Sequence, residues 1–257
     1  MDAIDAWHAE LAKGQELSRE FCTGFAASMR ARKLTFGERI HCPFLRPFLL
    51  SAGDEARIRH AAETIAAVGE RVVQRAIDSP GLFAQLGITD AEDRLIRIEP
   101  GYSTASTASR LDAFLLPDAL YFAEYNAESP AGPGYTQRLA ELFDSLPVTA
   151  RFREGRHVRF HRPIDPLLEA LLDSYREWGG TASPPMMAIV DWRGVPTWTE
   201  FEILRDAFVE RGVSTIVCDP RDLEFNGRTL TVGGQKIDLV YRRVLINDII
   251  EIGRAHV

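Results

Sequence analysis

Four polar side chains stand at alternate positions in two otherwise apolar stretches, Arg110 and Asp112 in Ser109–Leu116 and Glu124 and Asn126 in Leu120–Asn126. Side chains two apart on a strand share a face, so a hairpin of these stretches can aim all four at one patch. The turn around Pro117 and Asp118 decides the matter. Three or five turn residues centred on Asp118 set Asp112 against Glu124 and Arg110 against Asn126, whereas a two-residue turn sends the two pairs to opposite faces. The neighbours Phe114, Leu115, Leu116, Tyr121 and Phe122 predict that the patch lies at the open end of a mostly buried sheet. Two carboxylates and an amide oxygen are hard donors that suit Mg²⁺ rather than zinc or copper. An adjacent arginine holds a carboxylate or phosphate bidentately, and Mg²⁺ with arginine is the equipment of phosphoryl transfer. The same residues also suit a plain salt bridge from Arg110 to Asp112 or Glu124 on a sheet edge.

Other groups carry weaker signals. Asp191-Trp-Arg193 closes an apolar strand, the end at which open α/β sheets place ligands, so Asp191 is a candidate for touching substrate. Ala131-Gly-Pro-Gly134 precedes a helix and either offers backbone N–H groups to an anion or is a simple turn into that helix. The basic run Arg151, Arg153, Arg156, His157, Arg159, His161 and Arg162 reads either as an anion-attracting wall or as a solvated surface. No G-x-G-x-x-G, G-x-x-x-x-G-K-[ST] or G-x-S-x-G is present, so nothing points to a dinucleotide site, a P-loop or a nucleophile elbow.

Ser109-Arg-Leu-Asp112, followed by Phe122-Ala-Glu-Tyr-Asn-Ala-Glu-Ser-Pro-Ala-Gly132, resembles the R-x-D … E-x-N signature of circularly permuted ATP-grasp ligases. That group includes eukaryotic-type glutathione synthetase and glutathionylspermidine synthase. The nearest similarity is to the bacterial type 2 circularly permuted ATP-grasp proteins, and it takes in Ile189–Arg193 and Asp238–Arg243 as well. The resemblance implies Mg²⁺ on Glu124 and Asn126, bridging the phosphates of ATP, with Asp112 a further metal ligand. It implies that Arg110 contacts the acceptor carboxylate or the acyl phosphate, and that Ser129 falls near residues holding substrate. Arg243 resembles an arginine that reaches the phosphorylated intermediate; Arg242 is its alternative, since strand alternation lets one of the two point into the site. The implied activity is ATP-dependent carboxylate–amine ligation through an acyl phosphate, on an amino acid, peptide or polyamine. In that family the lysines and adenine-binding strands follow C-terminally, so the expectation is an N-terminal half whose nucleotide site is largely missing and which is inactive alone. The other expectation is a non-catalytic α/β module for a small anionic or peptide ligand.

The elements that position these residues are readable from periodicity. Helical spacing covers residues 3–32 in one or two helices, and Ile58 through Val73 in a long helix starting at Ser51 and ending near Ser79-Pro-Gly81. Leu95 to Ile98 alternates as a short strand would. After the hairpin come helices at 136–146 and 164–178, then the Gly/Pro-rich stretch 179–185, and then a βαβ texture from Met187 with a hairpin at Gly233-Gly234. The expected fold is α/β, made of N-terminal helices, a mixed sheet with the hairpin, and a smaller βαβ, Rossmann-like subdomain. The expected divisions are 1–94, 95–180 and 186–250. Residues 251–257, Glu-Ile-Gly-Arg-Ala-His-Val, read like translated sequencing adapter and are set aside as a non-native tail.

Thirty Lys and Arg against 37 Asp and Glu leave a net charge of −7 with 46% apolar residues, which excludes a disordered chain and argues against a nucleic-acid partner. No apolar run reaches the length of a membrane span, no basic leader opens the chain, and three scattered cysteines fit a reduced compartment. The expectation is a cytoplasmic protein with no membrane partner.

Overall fold

A computed structural model of the chain describes residues 2–128 and 130–254. In chain order, helices α1 (Ala3–Lys13) and α2 (Arg19–Ala31) precede the short pair β1 (Thr35–Phe36) and β2 (Arg39–Ile40). Then come α3 (Ala52–Asp78), α4 (Pro80–Gln85) and α5 (Asp90–Ile96), the strands β3 (Arg110–Leu115) and β4 (Leu120–Asn126), and helices α6 (Pro133–Asp144), α7 (Pro147–Arg153) and α8 (Ile164–Glu177). The last stretch alternates: β5 (Met187–Val190), α9 (Trp198–Glu210), β6 (Thr215–Cys218), β7 (Leu223–Phe225), β8 (Leu230–Val232), β9 (Gln235–Lys236), β10 (Leu239–Arg242) and α10 (Ile246–Arg254). The architecture is mixed α/β, as the sequence pattern predicts. Among the described residues no helix is long and apolar enough to cross a membrane, and no disulfide joins Cys22, Cys42 and Cys218.

Contacts divide the chain into two compact units, each discontinuous in sequence. One gathers the described residues up to Ser51 with Ala131–Leu168 and Arg193–Gly212; the other holds Ala52–Pro130, Glu169–Trp192 and the described residues from Val213 on. This partition by contacts cuts the chain at other places than the sequential segments read from composition.

The first unit is a helical assembly around aromatic side chains. Trp7 on α1 meets Phe152 of α7 edge-on at 5.2 Å, and Phe25 on α2 meets Phe143 of α6 at 5.7 Å. Helix α9 buries Phe201, Leu204, Ala207 and Phe208, the i, i+3, i+6, i+7 stripe of an amphipathic helix. Each of the phenylalanine and leucine side chains removed from water stabilises the unit by about 1.5–3 kcal/mol before entropy is counted.

The second unit carries the parallel sheet β10-β5-β6, in which Tyr241, Ile189 and Val217 lie abreast. All four residues of β5 are buried, as expected of a central parallel strand, whose sequence must then be apolar throughout. Ala188, Val190, Cys218, Ile237 and Val244 form its core cluster. Beside it runs the antiparallel β7-β8-β9, turned at Gly233-Gly234 with φ of 56° and 81°, the left-handed pair that a two-residue hairpin demands.

Two expectations need correction. Leu95 and Ile96 are the end of helix α5 rather than the start of a strand, because Thr89 and Glu92 form a reciprocal capping box that starts the helix ahead of the alternating stretch. The β3–β4 hairpin is a two-stranded sheet of its own and joins no larger mixed sheet among the described residues. Its outward face is exposed as well, with Phe114 65% and Tyr121 61% exposed where the apolar composition predicts burial. Helix α10 continues through Glu251–Arg254, so the first four residues of the segment set aside as a tail are helical.

Candidate functional site

The hairpin resolves its turn in a way the sequence does not announce. The N–H of Leu116 donates to the carbonyl of Ala119 at 2.8 Å, so Pro117 and Asp118 form a two-residue turn, the geometry that on a regular ladder would separate the two polar pairs. A β-bulge reverses that outcome. Near the tip, Phe114 faces Tyr121 and Ala113 faces Phe122; the register then shifts by one at Asp112, leaving Ala123 as the extra residue. Below the bulge Asp112 faces Glu124 and Arg110 faces Asn126, so the four side chains share one face. The guanidinium of Arg57 on α3 pins the tip by donating to the carbonyls of Leu116 (2.9 Å) and Pro117 (3.1 Å). On the inward face Tyr125 packs so closely over Gly69 of α3 that a Cβ there would lie 2.8 Å from its ring.

Within the patch, Arg110 grips Asp112 as a fork, Nε to Oδ1 at 2.9 Å and Nη2 to Oδ2 at 3.3 Å, with each side chain 44% exposed. This is the local ion pair that the spacing also allows. Glu124 is exposed on the same face. The Asn126 amide nitrogen is buried and has no hydrogen-bond partner among the described residues. Amide oxygen and nitrogen exchange places by a flip, so that buried position can present an oxygen to a cation. Among the described residues no three His, Cys, Asp or Glu side chains gather into a metal-holding cluster. Mg²⁺ needs less, since it usually takes one or two carboxylates and completes its shell with waters and phosphate oxygens. Glu124 and Asn126, with Asp112 once its arginine lets go, are a donor set that fits it.

The loop after Asn126 meets side chains at the end of β10. Pro130 is four residues on from Asn126, so the two lie within about 14 Å of each other. Arg243, only 5% exposed, donates to the Pro130 carbonyl and to the Tyr241 hydroxyl at 2.9 Å, with its guanidinium 5.4 Å from the Tyr241 ring centre. Arg242 pairs with Glu128, which also accepts the N–H of Ile246 at 2.8 Å and so caps α10. Both arginines reach the loop after Asn126, Arg242 through Glu128 and Arg243 through the Pro130 carbonyl. Strand alternation stops governing them because β10 ends at Arg242. Ser129, the remaining residue implied to hold substrate, lies outside the described residues. Glu128 and Tyr241 are the parts sequence reasoning missed; Glu128 is visible only as one more acid beside the motif.

Asp191 closes β5 beside this corner. It is half-buried, and that burial pushes its carboxyl above the ordinary value of 3.8, offset by the N–H of Trp192 and the charge of Arg243. Asp248 and Asp219 add to the rise. The unfolded chain therefore releases this proton at lower pH than the folded one, and stability falls as pH rises from about 3.8 through the raised folded value. Asp191→Asn is expected to flatten that fall; a pH series of urea midpoints on both proteins checks it, and parallel curves would count against the burial of Asp191.

In the first unit, the N–H groups ahead of α6 do hold an anion, and it is internal. The Glu200 carboxylate, fully buried, accepts from Gly132 at 2.7 Å and Gly134 at 3.0 Å. The segment Ala131–Gly134 is thereby occupied by the protein itself. Three members of the basic run are spent on structure too: Arg151 pairs with buried Glu16 at 2.7 Å, Arg153 pairs with Asp144, and Arg156 stacks on Phe152. No wall of unmatched charge is left by these three.

No protein-family model matches the chain, and no curated protein matches it. Among solved structures it is similar to a glutathione synthetase-like effector from Globodera pallida, in its apo form, with a TM-score of 0.59 at 11% identity. The similarity covers 92% of this chain and 60% of that one. The chain thus spans less than two thirds of the neighbour's length, and what the two have in common is the fold: this is an α/β chain folded like a glutathione synthetase-like protein.

Proposed function

We propose that the chain is the N-terminal portion of an ATP-dependent carboxylate–amine ligase that works through an acyl phosphate, with ATP, Mg²⁺ and an amino acid, peptide or polyamine as its small molecules. One observation carries the reading: the bulge at Ala123 gathers Arg110, Asp112, Glu124 and Asn126 on one face despite a two-residue turn. The fold shared with a longer glutathione synthetase-like protein supports it, as does the R-x-D … E-x-N resemblance.

In this reading Glu124 and Asn126, joined by Asp112, hold Mg²⁺, whose charge offsets that of the transferring phosphoryl group. Arg110 releases Asp112 and turns to the substrate carboxylate or its phosphorylated form, for which its planar fork is suited. Arg243 holds the Pro130 carbonyl, and Arg242 with Ile246 at the start of α10 holds Glu128. Fixed dipoles and charges of this kind, with no covalent enzyme nucleophile, supply the rate in such chemistry. The nucleotide-binding lysines belong, on this proposal, to sequence beyond these 257 residues.

The second reading is a non-catalytic α/β module for a small anionic or peptide ligand; the closed Arg110–Asp112 fork favours the absence of catalysis, since it leaves the arginine and the carboxylate occupied with each other. Glu124→Gln separates the two. With Mn²⁺ as a paramagnetic probe, the ligase reading expects at least about a hundredfold weaker cation binding in the variant, the upper end of what disturbing a supporting residue costs. Unchanged binding favours the module. An ADP-release screen of the whole reading frame over amino acids, peptides and polyamines then names the substrates.

A further inference from the structure

The helical unit holds a cavity that the hairpin chemistry does not use. It is about 570 Å³, between α1, α2 and the extended segment after β2, within the roughly 300–1,000 Å³ range of small-molecule sites. Leu11, Phe25 and Met29 make its floor, and all three are buried. Pro43 to Arg46 form the opposite wall, which the Trp7 indole N–H fixes by donating to the Leu45 carbonyl at 2.8 Å. The wall is thus tied to the core, while the mouth keeps large apolar groups in water: Phe44 is 69% and Leu17 64% exposed. A filled, self-sufficient core would hide such side chains.

The charge at this cavity has one sign. Besides the Cys22 thiol, its ionisable liners are Arg46 and His8, and no carboxylate is among them. Arg46 makes no hydrogen bond or ion pair with another described residue. In a protein of net charge −7, an apolar chamber whose mouth carries a guanidinium and an imidazole, with no acid to match them, is complementary to an amphipathic anion. An arginine fork suits a carboxylate in particular.

We infer that this cavity is a binding site for a free medium-chain fatty carboxylate, its chain against Leu11, Phe25 and Met29 and its head group on Arg46. The inference is independent of the ligase reading, since no residue is shared.

Calorimetric titration of the 257-residue chain with hexanoate, octanoate, decanoate and dodecanoate, each below its micelle concentration, tests it. Affinity is expected to rise about fourfold per added methylene, the factor that about 0.8 kcal/mol per buried CH₂ converts to, until the cavity is full. Dodecanoate is expected to bind at least about tenfold more tightly than dodecylammonium, and Arg46→Glu, on an exposed loop, to reverse that order. Ala26→Trp, which fills the chamber from α2, is expected to abolish saturable binding, with its circular dichroism reporting that it has folded. Equal affinity for the two head groups, an order unmoved by Arg46→Glu, or no saturable binding by the unaltered chain would each overturn the inference; so would dodecanoate binding retained in folded Ala26→Trp.

Discussion

Glu200→Ala is expected to lower the stability of the helical unit by about 3 kcal/mol, the sum of two hydrogen bonds to a charged group at about 1.5 kcal/mol each, and its unfolding midpoint by roughly 6–12 °C. The start of α6 has no side-chain cap of its own: Gly132 stands at the N-cap with φ of 140° and Pro133 follows it. The carboxylate from α9 is what satisfies the N–H groups of Gly132 and Gly134 and meets the positive end of the helix. Gly134 exists to admit it, since a Cβ there would lie 2.9 Å from the Glu200 Cγ and 3.3 Å from Ile203. Gly134→Ala therefore costs about 1–3 kcal/mol through overpacking, and most of that cost should vanish in the Glu200→Ala background. Thermal melts of the two single variants and the double variant measure the coupling. Additive losses would show that Glu200 and Gly134 do not meet as described.

The second large effect separates two neighbouring arginines. Arg243→Ala is expected to destabilise the sheet-bearing unit by about 3–5 kcal/mol, because removing one member of a buried charged network leaves its partners uncompensated. Arg242→Ala, whose pair with Glu128 is more than one third exposed, is expected to cost at most about 1 kcal/mol. Arg243→Lys should recover only part of the loss, since an ammonium can stand in for Nη1, which donates to both the Pro130 carbonyl and the Tyr241 hydroxyl, but not for the planar guanidinium beside the Tyr241 ring. The loss in Arg243→Ala should also grow with pH. Arg243 holds the Asp191 carboxyl down; without it the folded-state value climbs further, so ionising Asp191 near neutral pH costs more, while below about pH 3.8 the group is protonated in both states. Chemical denaturation at pH 4 and pH 7, with amide exchange followed at Ala127 and Glu128, reports both effects. Equal losses for the two alanine variants would contradict the burial difference.

How far these sites could be read beforehand depends on which force sets each feature. Strand β5 reads directly, because a doubly buried parallel strand must be apolar at every position and Met187–Val190 is. The alternation of Arg110 with Asp112 and of Glu124 with Asn126 is likewise a local property. The bulge is not: Ala123 has no special backbone need and looks like any strand residue, so turn and register could be listed as alternatives and no more. Nor does composition say which face of a hairpin finds cover, and Phe114 and Tyr121 stand on the face that stays exposed. Glu200 did leave a trace, standing four residues before Leu204 on the apolar stripe of α9, where an acid must have a partner. That partner is 66 to 68 residues away in sequence, two backbone N–H groups that no side-chain pattern reports.

Between the tip of the hairpin and its polar end, β4 carries one residue more than β3. That surplus gives the hairpin an asymmetric tolerance to changes in length. Losing one residue between Leu120 and Ala123 would leave a regular ladder with Glu124 still opposite Asp112, so such a deletion is silent for the arrangement. Gaining one would turn Glu124 and Asn126 inward against α3. Natural variation in this stretch should therefore be found on the short side only.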